Sequence, residues 1–215
     1  MTRILIADDH TLVREGLRQI LSGDAELVVA DEAVDGDQAL AKVRASDFDL
    51  VLLDMSMPGL SGIDLIKRLK LEKPKLKILV LSMHGEQQYA VRAYKAGAAG
   101  YLTKDSASAQ LLAAIRKIAG GGLYISPAGA EQLAMGAAGS GESLPHRSLS
   151  DREFEVFRLI VAGTSVTDIG AALHLSVKTV STHKTRILQK MNMTGTAELV
   201  RYALEHKLLE GSGSS

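Results

Sequence analysis

Three acidic residues stand where apolar runs of the sequence end, an arrangement that suits phosphate and metal chemistry. Asp54 follows the run Leu50–Leu53 directly, and the pair Asp8 and Asp9 follows Ile4–Ala7. If both runs are neighbouring parallel strands, their carboxyl ends meet at one sheet edge and bring the three carboxylates together. Carboxylates held so close repel one another, so either their pKa values rise or a divalent cation neutralises them. An all-oxygen site of this kind favours Mg²⁺ and leaves Asp54 placed to accept a phosphoryl group.

Two further apolar runs end in a hydroxyl and an ammonium group. Ser82 ends the run that begins at Ile78, and Lys104 comes shortly after Tyr101. An in-line phosphoryl transfer needs the charge on three equatorial oxygens offset, and a metal ion, the Lys104 ammonium and the Ser82 hydroxyl can each offset one. His10 lies beside the acidic pair, and we interpret it as structural because Mg²⁺ prefers oxygen ligands.

The first 120 residues alternate short apolar strands with segments of helical period. The predicted strands are Ile4–Ala7, Leu27–Ala30, Leu50–Leu53, Ile78–Leu81 and Ala99–Leu102. Between and after them, apolar residues recur at three- and four-residue intervals, which is typical of helices packed on a sheet. Ser61 and Asp64 have the spacing of a helix cap and predict the start of the third helix. Five strands and five helices predict a doubly wound parallel sheet, and in the strand order 2-1-3-4-5 its crevice lies between strands 1 and 3.

Length and composition fit two modest globular domains. The chain has 215 residues, of which 46% are hydrophobic, and its formal net charge is zero. It has no Cys, which excludes disulfides and thiolate metal sites. The apolar stretch at the start is too short for a signal peptide or a membrane span, so we expect a cytoplasmic protein with no membrane partner. Because the overall charge is balanced, a nucleic-acid partner must be argued from charges along one helix.

The second half of the chain has no strand pattern. Residues 121–147 are predicted to be a linker with one short helix and a tether rich in Gly, Ala and Ser. Residues 148–210 are predicted to form an all-helical domain, whose first helix begins with the capping pattern of Ser150 and Glu153. Residues 211–215 are expected to be a disordered tail.

Two helices of the second domain have the spacing of a helix-turn-helix. The first is capped by Ser165 with Asp168, and after a turn at His174 the second runs from Ser176 to about Met191. The apolar stripe predicted on this second helix consists of Val177, Val180, Ile187, Leu188 and Met191. No Asp or Glu occurs in the helix, whereas four cations do, namely Lys178, Lys184, Arg186 and Lys190. Such an excess can neutralise phosphates, although the solvated face of a small helical bundle has the same periodicity.

Four motifs follow one another in the first domain with a characteristic order. They are Asp8-Asp9-His10, Asp54 before the turn Met57–Gly62, Ser82, and the segment Gly100–Lys104. With these motifs, residues 1–120 resemble the receiver domain of bacterial two-component response regulators. The resemblance implies a flavodoxin-like (βα)5 fold with a five-stranded parallel sheet.

The same resemblance implies a role for each residue of the acidic crevice. Asp54 would be the phosphoacceptor, and Lys104 would pair with the phosphate. The implied ligands of Mg²⁺ are Asp9, Asp54 and the carbonyl of Ser56, and Asp8 would act on the ion through water. Ser82 and Tyr101 would be a switch pair, in which the hydroxyl turns toward the phosphate and the ring follows it inward. A receiver promotes only its own phosphotransfer and dephosphorylation, so we expect no other enzyme activity.

The second domain resembles the LuxR-type DNA-binding domain through Leu149–Val156 and Lys178–His183. Combined with a receiver, it resembles the NarL/FixJ branch of response regulators. The implied protein is a transcription regulator that receives phosphate from a sensor histidine kinase and binds double-stranded promoter DNA as a homodimer, with RNA polymerase left open as a further partner. The expected contacts to base edges are Ser181, Thr182 and Thr185, those to phosphates are Lys178, Lys184, Arg186 and Lys190, and Thr179 is counted with the DNA-binding set.

Two other interpretations of the strand-end acid stay open at this point. A phosphatase of the haloacid-dehalogenase type also uses a strand-end Asp with Mg²⁺, but it needs Asp-x-Asp, and Ser56 occupies the second position here. A flavin mononucleotide-binding module shares the fold class and no specific residue. Turnover of a phosphate ester would support the first alternative, and a flavin absorbance spectrum would support the second.

Overall fold

The first of two compact units is built on a five-stranded parallel sheet. The computed structural model describes residues 1–57, 60, 62–82, 86–126, 130, 144–206 and 208, and the chain divides into Met1–Ala137 and Ala138–Ser215. The strands are β1 (Thr2–Ala7), β2 (Leu27–Ala33), β3 (Leu50–Asp54), β4 (Lys77–Ser82) and β5 (Gly100–Thr103). Their order is β2-β1-β3-β4-β5, and every neighbouring pair is parallel. This confirms the doubly wound sheet that the sequence predicts.

Among the described residues of this unit, five helices cover the two faces of the sheet. They are α1 (Thr11–Leu21), α2 (Gly36–Ala45), α3 (Gly62–Glu72), α4 (Glu86–Ala96) and α5 (Lys104–Ala119). Leu17 of α1 and Ile115 of α5 pack with alternate strand residues such as Ile6 and Leu52 in one apolar cluster. The other alternate residues are equally buried beneath the remaining helices, as the strands of a parallel sheet require. The predicted cap Ser61 lies outside the described residues, and α3 begins at Gly62.

The edge strand β2 is three residues longer than the sequence pattern indicates, because cations compensate its acidic end. Asp31 and Glu32 belong to the strand. Lys42 on α2 donates to Asp31 Oδ1 at 2.6 Å, and Arg14 on α1 donates to Glu32 Oε2 at 3.0 Å. The two carboxylates therefore do not interrupt the edge strand, which the sequence pattern ends at Ala30.

The packed part of the first unit continues past Gly120, where the sequence analysis ends the first domain. The N–H of Tyr124 donates to the carbonyl of Ala99 at 2.9 Å, and Tyr124 forms a parallel bridge with Gly100 on the outer edge of β5. The Tyr94 hydroxyl on α4 donates to the Tyr124 carbonyl at 2.8 Å. A Cβ at Gly100 would lie only 2.8 Å from the side chain of Ile118, so this approach needs glycine. Beyond this segment, most of the predicted linker falls outside the described residues.

The second unit is helical throughout the part that is described. A 3-10 turn at Pro145–Ser148 precedes α6 (Asp151–Val161), α7 (Val166–Ala172), α8 (Val177–Met191) and α9 (Thr196–Glu205). Its buried core includes Phe154, Phe157, Ile169, Val180, Ile187 and Leu199. The 3-10 turn begins in the last residues of the predicted linker and ends at Ser148, and His146 within it contacts the Tyr202 hydroxyl at 2.8 Å. None of the helices in the described ranges combines the length and the hydropathy that a bilayer-spanning helix needs.

The predicted helix-turn-helix is formed by α7 and α8, with the caps in their predicted places. Ser165 accepts from the N–H of Asp168, and Ser176 accepts from the N–H of Thr179. Gly170 lets the two helices meet closely, because a Cβ there would lie 2.8 Å from the Leu175 carbonyl oxygen. A side chain at position 170 of α7 would therefore collide with the turn that leads into α8.

A buried acid on α6 is paired with a cation near the end of α8. Glu153 is 4% exposed and completes the predicted capping box with Ser150. Lys190 donates to Glu153 Oε2 at 2.6 Å. Burial alone would raise the pKa of Glu153, but the hydrogen bonds from Lys190 and Ser150 outweigh it and hold the pKa below its usual range. Lys190, expected at a DNA phosphate, thus has a structural partner within its own domain.

We predict that Lys190→Met weakens the second unit by about 1–3 kcal/mol at neutral pH, because it leaves a buried carboxylate without its cation. The depressed pKa of Glu153 means that this contribution is present above the ordinary carboxyl pKa and is lost as pH falls through the folded value. The deficit should therefore shrink in acid. Hydrogen exchange at the amides of α6 and α8 in the full-length protein measures it, with exposed Lys178→Met as the control. Equal protection in both variants would contradict the pairing.

Candidate functional site

The structure brings the three predicted acids of the first unit together. Asp54 is the last residue of β3, and Asp8 follows β1, its neighbour in the sheet. One ligand atom from each of Asp8, Asp9, His10 and Asp54 lies within 4.8 Å of the others. Asp8 and Asp54 are each 1% exposed, whereas Asp9 opens to solvent. The cluster is therefore a pocket with a buried floor and an accessible rim.

Lys104 lies between the two buried carboxylates. Its Nζ is 2.8 Å from Asp8 Oδ2 and 3.2 Å from Asp54 Oδ2. Burial raises the pKa of Asp54, the Lys104 ammonium opposes that rise, and the Asp8 carboxylate adds to it. Burial alone would lower the pKa of Lys104, but the two carboxylates outweigh it and raise that pKa. The ammonium therefore stays charged while Asp54 is held in an unfavourable environment for its own charge.

The turn that carries Asp8 and Asp9 is fixed by Arg14, which the sequence analysis did not single out. Arg14 is 9% exposed, and its guanidinium donates to the Asp8 carbonyl oxygen at 2.8 Å while its Nε donates to Glu32. The N–H of His10 donates to Asp8 Oδ1 at 2.9 Å, which orients the carboxylate. A cation inside the apolar stripe of α1 was the signal in the sequence that could have identified Arg14.

The predicted switch residues occupy the two strands beyond Asp54. Asp54 pairs with Leu81 in the sheet, so Ser82 is the next residue along β4, and Ser82 in turn pairs with Thr103 just before Lys104. Ser82 and Tyr101 are both fully buried. Tyr101 thus already has its ring inside the unit. Ser56 is exposed in the turn after Asp54.

The donor set of the acidic pocket fits a hard divalent cation. Asp8, Asp9 and Asp54 oppose one ammonium, which leaves a formal charge of −2 in a small volume. Asp54 Oδ1 is buried and has no hydrogen-bond partner, although burying a charged oxygen without one is costly. Oxygen donors with an open side toward solvent suit an ion that retains several waters, such as Mg²⁺.

On the second unit, α8 presents the cationic and hydroxyl face that the sequence predicts. Its exposed side chains include Lys178, Thr179, Ser181, Thr182, Thr185 and Arg186, and Lys184 is partly buried. Val180, Ile187 and Met191 form its buried side. Lys190 is the exception, since its ammonium lies on Glu153.

One member of the predicted apolar stripe of α8 faces solvent. Val177 is 49% exposed, whereas Val180 is fully buried. Val177 is the first residue of the helix, and the core of the unit does not extend to that end. Helical periodicity alone could not reveal this, because it indicates which face of a helix is apolar but not how far along the helix the core extends. The exposed side of α8 therefore carries one branched apolar side chain beside its hydroxyls and cations.

Comparisons with family models and curated proteins agree with both halves of the chain. Residues 4–116 match the response regulator receiver domain, and residues 147–203 match the bacterial regulatory proteins of the luxR family. The response regulator UvrY of Escherichia coli K12 is 36% identical over 209 residues, covering 97% of this chain and 96% of that protein. The oxygen regulatory protein NreC of Staphylococcus carnosus is 38% identical over 215 residues, covering 97% and 99%.

Solved structures extend the similarity across both units. RcsB of Salmonella typhimurium, described for its conformational dynamism in DNA interaction, aligns with a TM-score of 0.73 at 28% identity over 95% of this chain and 97% of that one. RcsB bound to promoter rprA in the presence of the phosphomimetic BeF3⁻ aligns with a TM-score of 0.69 at 29% identity over 94% and 98%. The chain therefore belongs to the NarL/FixJ family of two-component response regulators, with a receiver domain and a LuxR-type DNA-binding domain.

Proposed function

We propose that this regulator is switched by phosphorylation of Asp54 and that the switch controls how α8 binds promoter DNA. The observation that carries the proposal is the environment of Asp54, a buried strand-end carboxylate with a raised pKa beside the Lys104 ammonium. Carboxyl groups whose pKa is perturbed by burial and by specific charged neighbours cluster at functional sites. The donor is a sensor histidine kinase or a small phosphodonor, and the site of action on promoter DNA implies a cytoplasmic protein.

The transfer forms one bond and breaks another at the phosphorus atom. A carboxylate oxygen of Asp54 attacks in line, and the bond from phosphorus to the nitrogen or oxygen of the donor breaks. The Lys104 ammonium lies 3.2 Å from Asp54 Oδ2, within reach of an oxygen on the transferred group. Ser82, one residue past the position paired with Asp54, is the candidate for a second oxygen. Attack by water on the aspartyl phosphate reverses the modification, so the domain acts on itself alone.

We assign Mg²⁺ as the cofactor of this site, held by Asp8, Asp9, Asp54 and the carbonyl of Ser56. When bound, the ion offsets negative charge on the transferred phosphoryl group. Neighbouring residues of the chain orient the carboxylates that would bind the ion. Arg14 and the N–H of His10 fix the turn at Asp8, so that the carboxylate is held toward Asp54 before any ion arrives.

We propose that the recognition helix α8 enters the major groove, with its cationic side chains toward the DNA backbone and its hydroxyl side chains toward the bases. Lys178, Lys184 and Arg186 are assigned to phosphates, and Ser181, Thr182 and Thr185 are assigned to base edges. Thr179 has its hydroxyl 2.7 Å from that of Ser176 and contributes mainly to the start of the helix. Lys190 is assigned to Glu153 in place of a phosphate.

A homodimer on a two-fold site follows from the small number of cations in each copy. Two copies double the phosphate contacts and match the symmetry of paired half-sites. One solved relative consists of two RcsB dimers bound to two parallel DNAs, which supports the same assembly here. To change a population from 1:99 to 99:1, phosphorylation must favour the active state by about 5.5 kcal/mol, and a smaller bias gives graded control. Contact with RNA polymerase is a later step that such a dimer could mediate.

The metal assignment predicts that Asp54→Asn stabilises the first unit at neutral pH in the absence of metal by about 0.5–2 kcal/mol. The raised pKa of Asp54 means that its charged form weakens the fold once pH exceeds the ordinary value of 3.8, and Asn removes this cost. The gain should vanish as pH falls toward 3.8. Mg²⁺ should raise the melting temperature of the wild-type protein more than that of the variant, with exposed Glu15→Gln behaving as wild type. A variant that melts with the wild type under all these conditions refutes the assignment.

For phosphorylation, we expect acetyl phosphate with Mg²⁺ to add one phosphoryl group to the wild-type protein and none to Asp54→Asn. Intact-mass spectrometry of the full-length proteins reads this directly. Glu15→Gln serves again as a control and should be modified as the wild type is. Equal incorporation by the wild type and Asp54→Asn means that another residue is the acceptor.

For DNA binding, Lys184→Ala should weaken binding to all sequences alike and lower the slope of log affinity against log salt by about 1. Thr182→Ala should instead change the preferred sequence and leave the salt slope intact. Fluorescence anisotropy on matched specific and random duplexes separates the two effects. If neither variant differs from the wild type, α8 does not lie in the groove.

A further inference from the structure

Three neighbouring hydroxyls on the exposed side of α8 have their hydrogens engaged within the helix. Ser181 donates to the Val177 carbonyl at 2.9 Å, and Thr182 donates to the Lys178 carbonyl at 2.9 Å. Thr185 donates to the Ser181 carbonyl at 3.1 Å. Each hydroxyl has one hydrogen and two lone pairs, so once its hydrogen is used only lone pairs face outward. All three residues are exposed.

Methyl groups lie among these outward lone pairs. Thr182 and Thr185 each carry a γ-methyl, and Val177, at the start of the same helix, is 49% exposed. Val177 and Ser181 are four residues apart and therefore neighbours on the helix surface. The N-terminal part of a recognition helix is the part that meets base edges. The presented surface is thus one of hydrogen-bond acceptors and methyl groups.

We infer that this surface, given the proposed insertion of α8 into the major groove, selects A·T base pairs in either orientation. An A·T pair is the only one that offers both an amino donor, on adenine N6, and a methyl group, on thymine C5. The hydroxyl oxygens accept from the amino group, and the methyls of Val177, Thr182 and Thr185 pack against thymine. Guanine presents two acceptors, N7 and O6, which oppose the lone pairs. Cytosine offers an amino group but no methyl.

The preference has a definite size because a hydroxyl can reorient only at a cost. To donate to guanine, Thr182 or Thr185 must give up its bond to the helix carbonyl, and a hydrogen bond of this kind contributes a factor of about five to ten. The helix carbonyl that loses the hydroxyl still accepts from a backbone N–H, so no unsatisfied acceptor adds to the cost of reorienting the hydroxyl. We therefore expect each hydroxyl that faces a purine to discriminate about five- to tenfold in favour of adenine over guanine, whereas the methyl contacts distinguish thymine from cytosine.

Selection from a pool of random duplexes by the full-length, acetyl phosphate-treated protein tests the inference. The expected half-site has A·T pairs at the positions facing α8. On the selected duplex, replacing adenine by purine removes the amino group, and replacing thymine by uracil removes the methyl. Each replacement at a facing position should weaken wild-type binding by about three- to tenfold, and the same replacements outside the half-site should not.

Two variants separate the acceptor from the methyl contribution. Thr185→Val keeps the shape and the methyl groups but removes one acceptor, so it should lose discrimination between adenine and purine at the base pair that faces residue 185 and retain that between thymine and uracil. Val177→Ala should lose part of the second and retain the first. Circular dichroism checks that both variants keep their helices. A selected half-site with G·C pairs opposite α8, or wild-type binding insensitive to both base replacements, overturns the inference.

The same experiment distinguishes this failure from failure of the proposed function. If α8 does not enter the groove, no sequence is enriched, and Lys184→Ala leaves the salt slope unchanged. If α8 enters the groove but reads other bases, a sequence is enriched, Lys184→Ala lowers the slope, and only the base identities differ from those expected.

Discussion

The receiver half of this protein is organised around an unbalanced set of charges at the carboxyl ends of its strands. Two carboxylates, Asp8 and Asp54, are almost fully buried, and one ammonium, Lys104, lies within 3.2 Å of both. Burial makes each carboxylate costly, and the single cation offsets only part of that cost. Arg14 fixes the turn at Asp8 through the backbone carbonyl, but its charge is paired with Glu32 and does not neutralise either buried carboxylate. The charge of such a site suits a divalent cation, and the proposed phosphorylation of Asp54 would change its charge balance again.

The consequences of that balance can travel along one side of the sheet. Ser82 and Tyr101 are buried on β4 and β5, directly beyond Asp54, so a shift at the acid meets closely packed neighbours. The outer edge of β5 is in turn covered by Tyr124, which Tyr94 on α4 and Gln110 on α5 both contact by hydrogen bonds. The segment that leaves the receiver toward the second half is therefore attached to the strand that holds Tyr101. A displacement of β5 or α4 would therefore also displace Tyr124.

Sequence patterns correctly predicted the features that depend on interactions between residues close together in the sequence. The existence of the five strands, the caps Ser150, Ser165 and Ser176, and the helix-turn-helix could be predicted because each depends on residues a few positions apart. The contacts that the patterns missed join residues that lie far apart in the sequence. The pairing of Lys190 with Glu153 spans 37 residues, and the Tyr124 contact with β5 joins a predicted linker to a strand. The charged end of β2 falls outside the predicted strand, since the cations that pair with it lie on α1 and α2.

The recognition helix shows why cation counts from sequence overstate a DNA interface. Four cations occur on α8, but Lys190 is required by a buried glutamate, which leaves three for phosphates in each copy. Because affinity at physiological salt rises with the number of phosphates neutralised, three contacts give one copy only weak binding. Two copies on one site bring the number to about six, a range in which binding becomes strongly salt-dependent and useful. The proposed pairing of two copies would let the receiver control DNA binding through this electrostatic contribution without altering α8 itself.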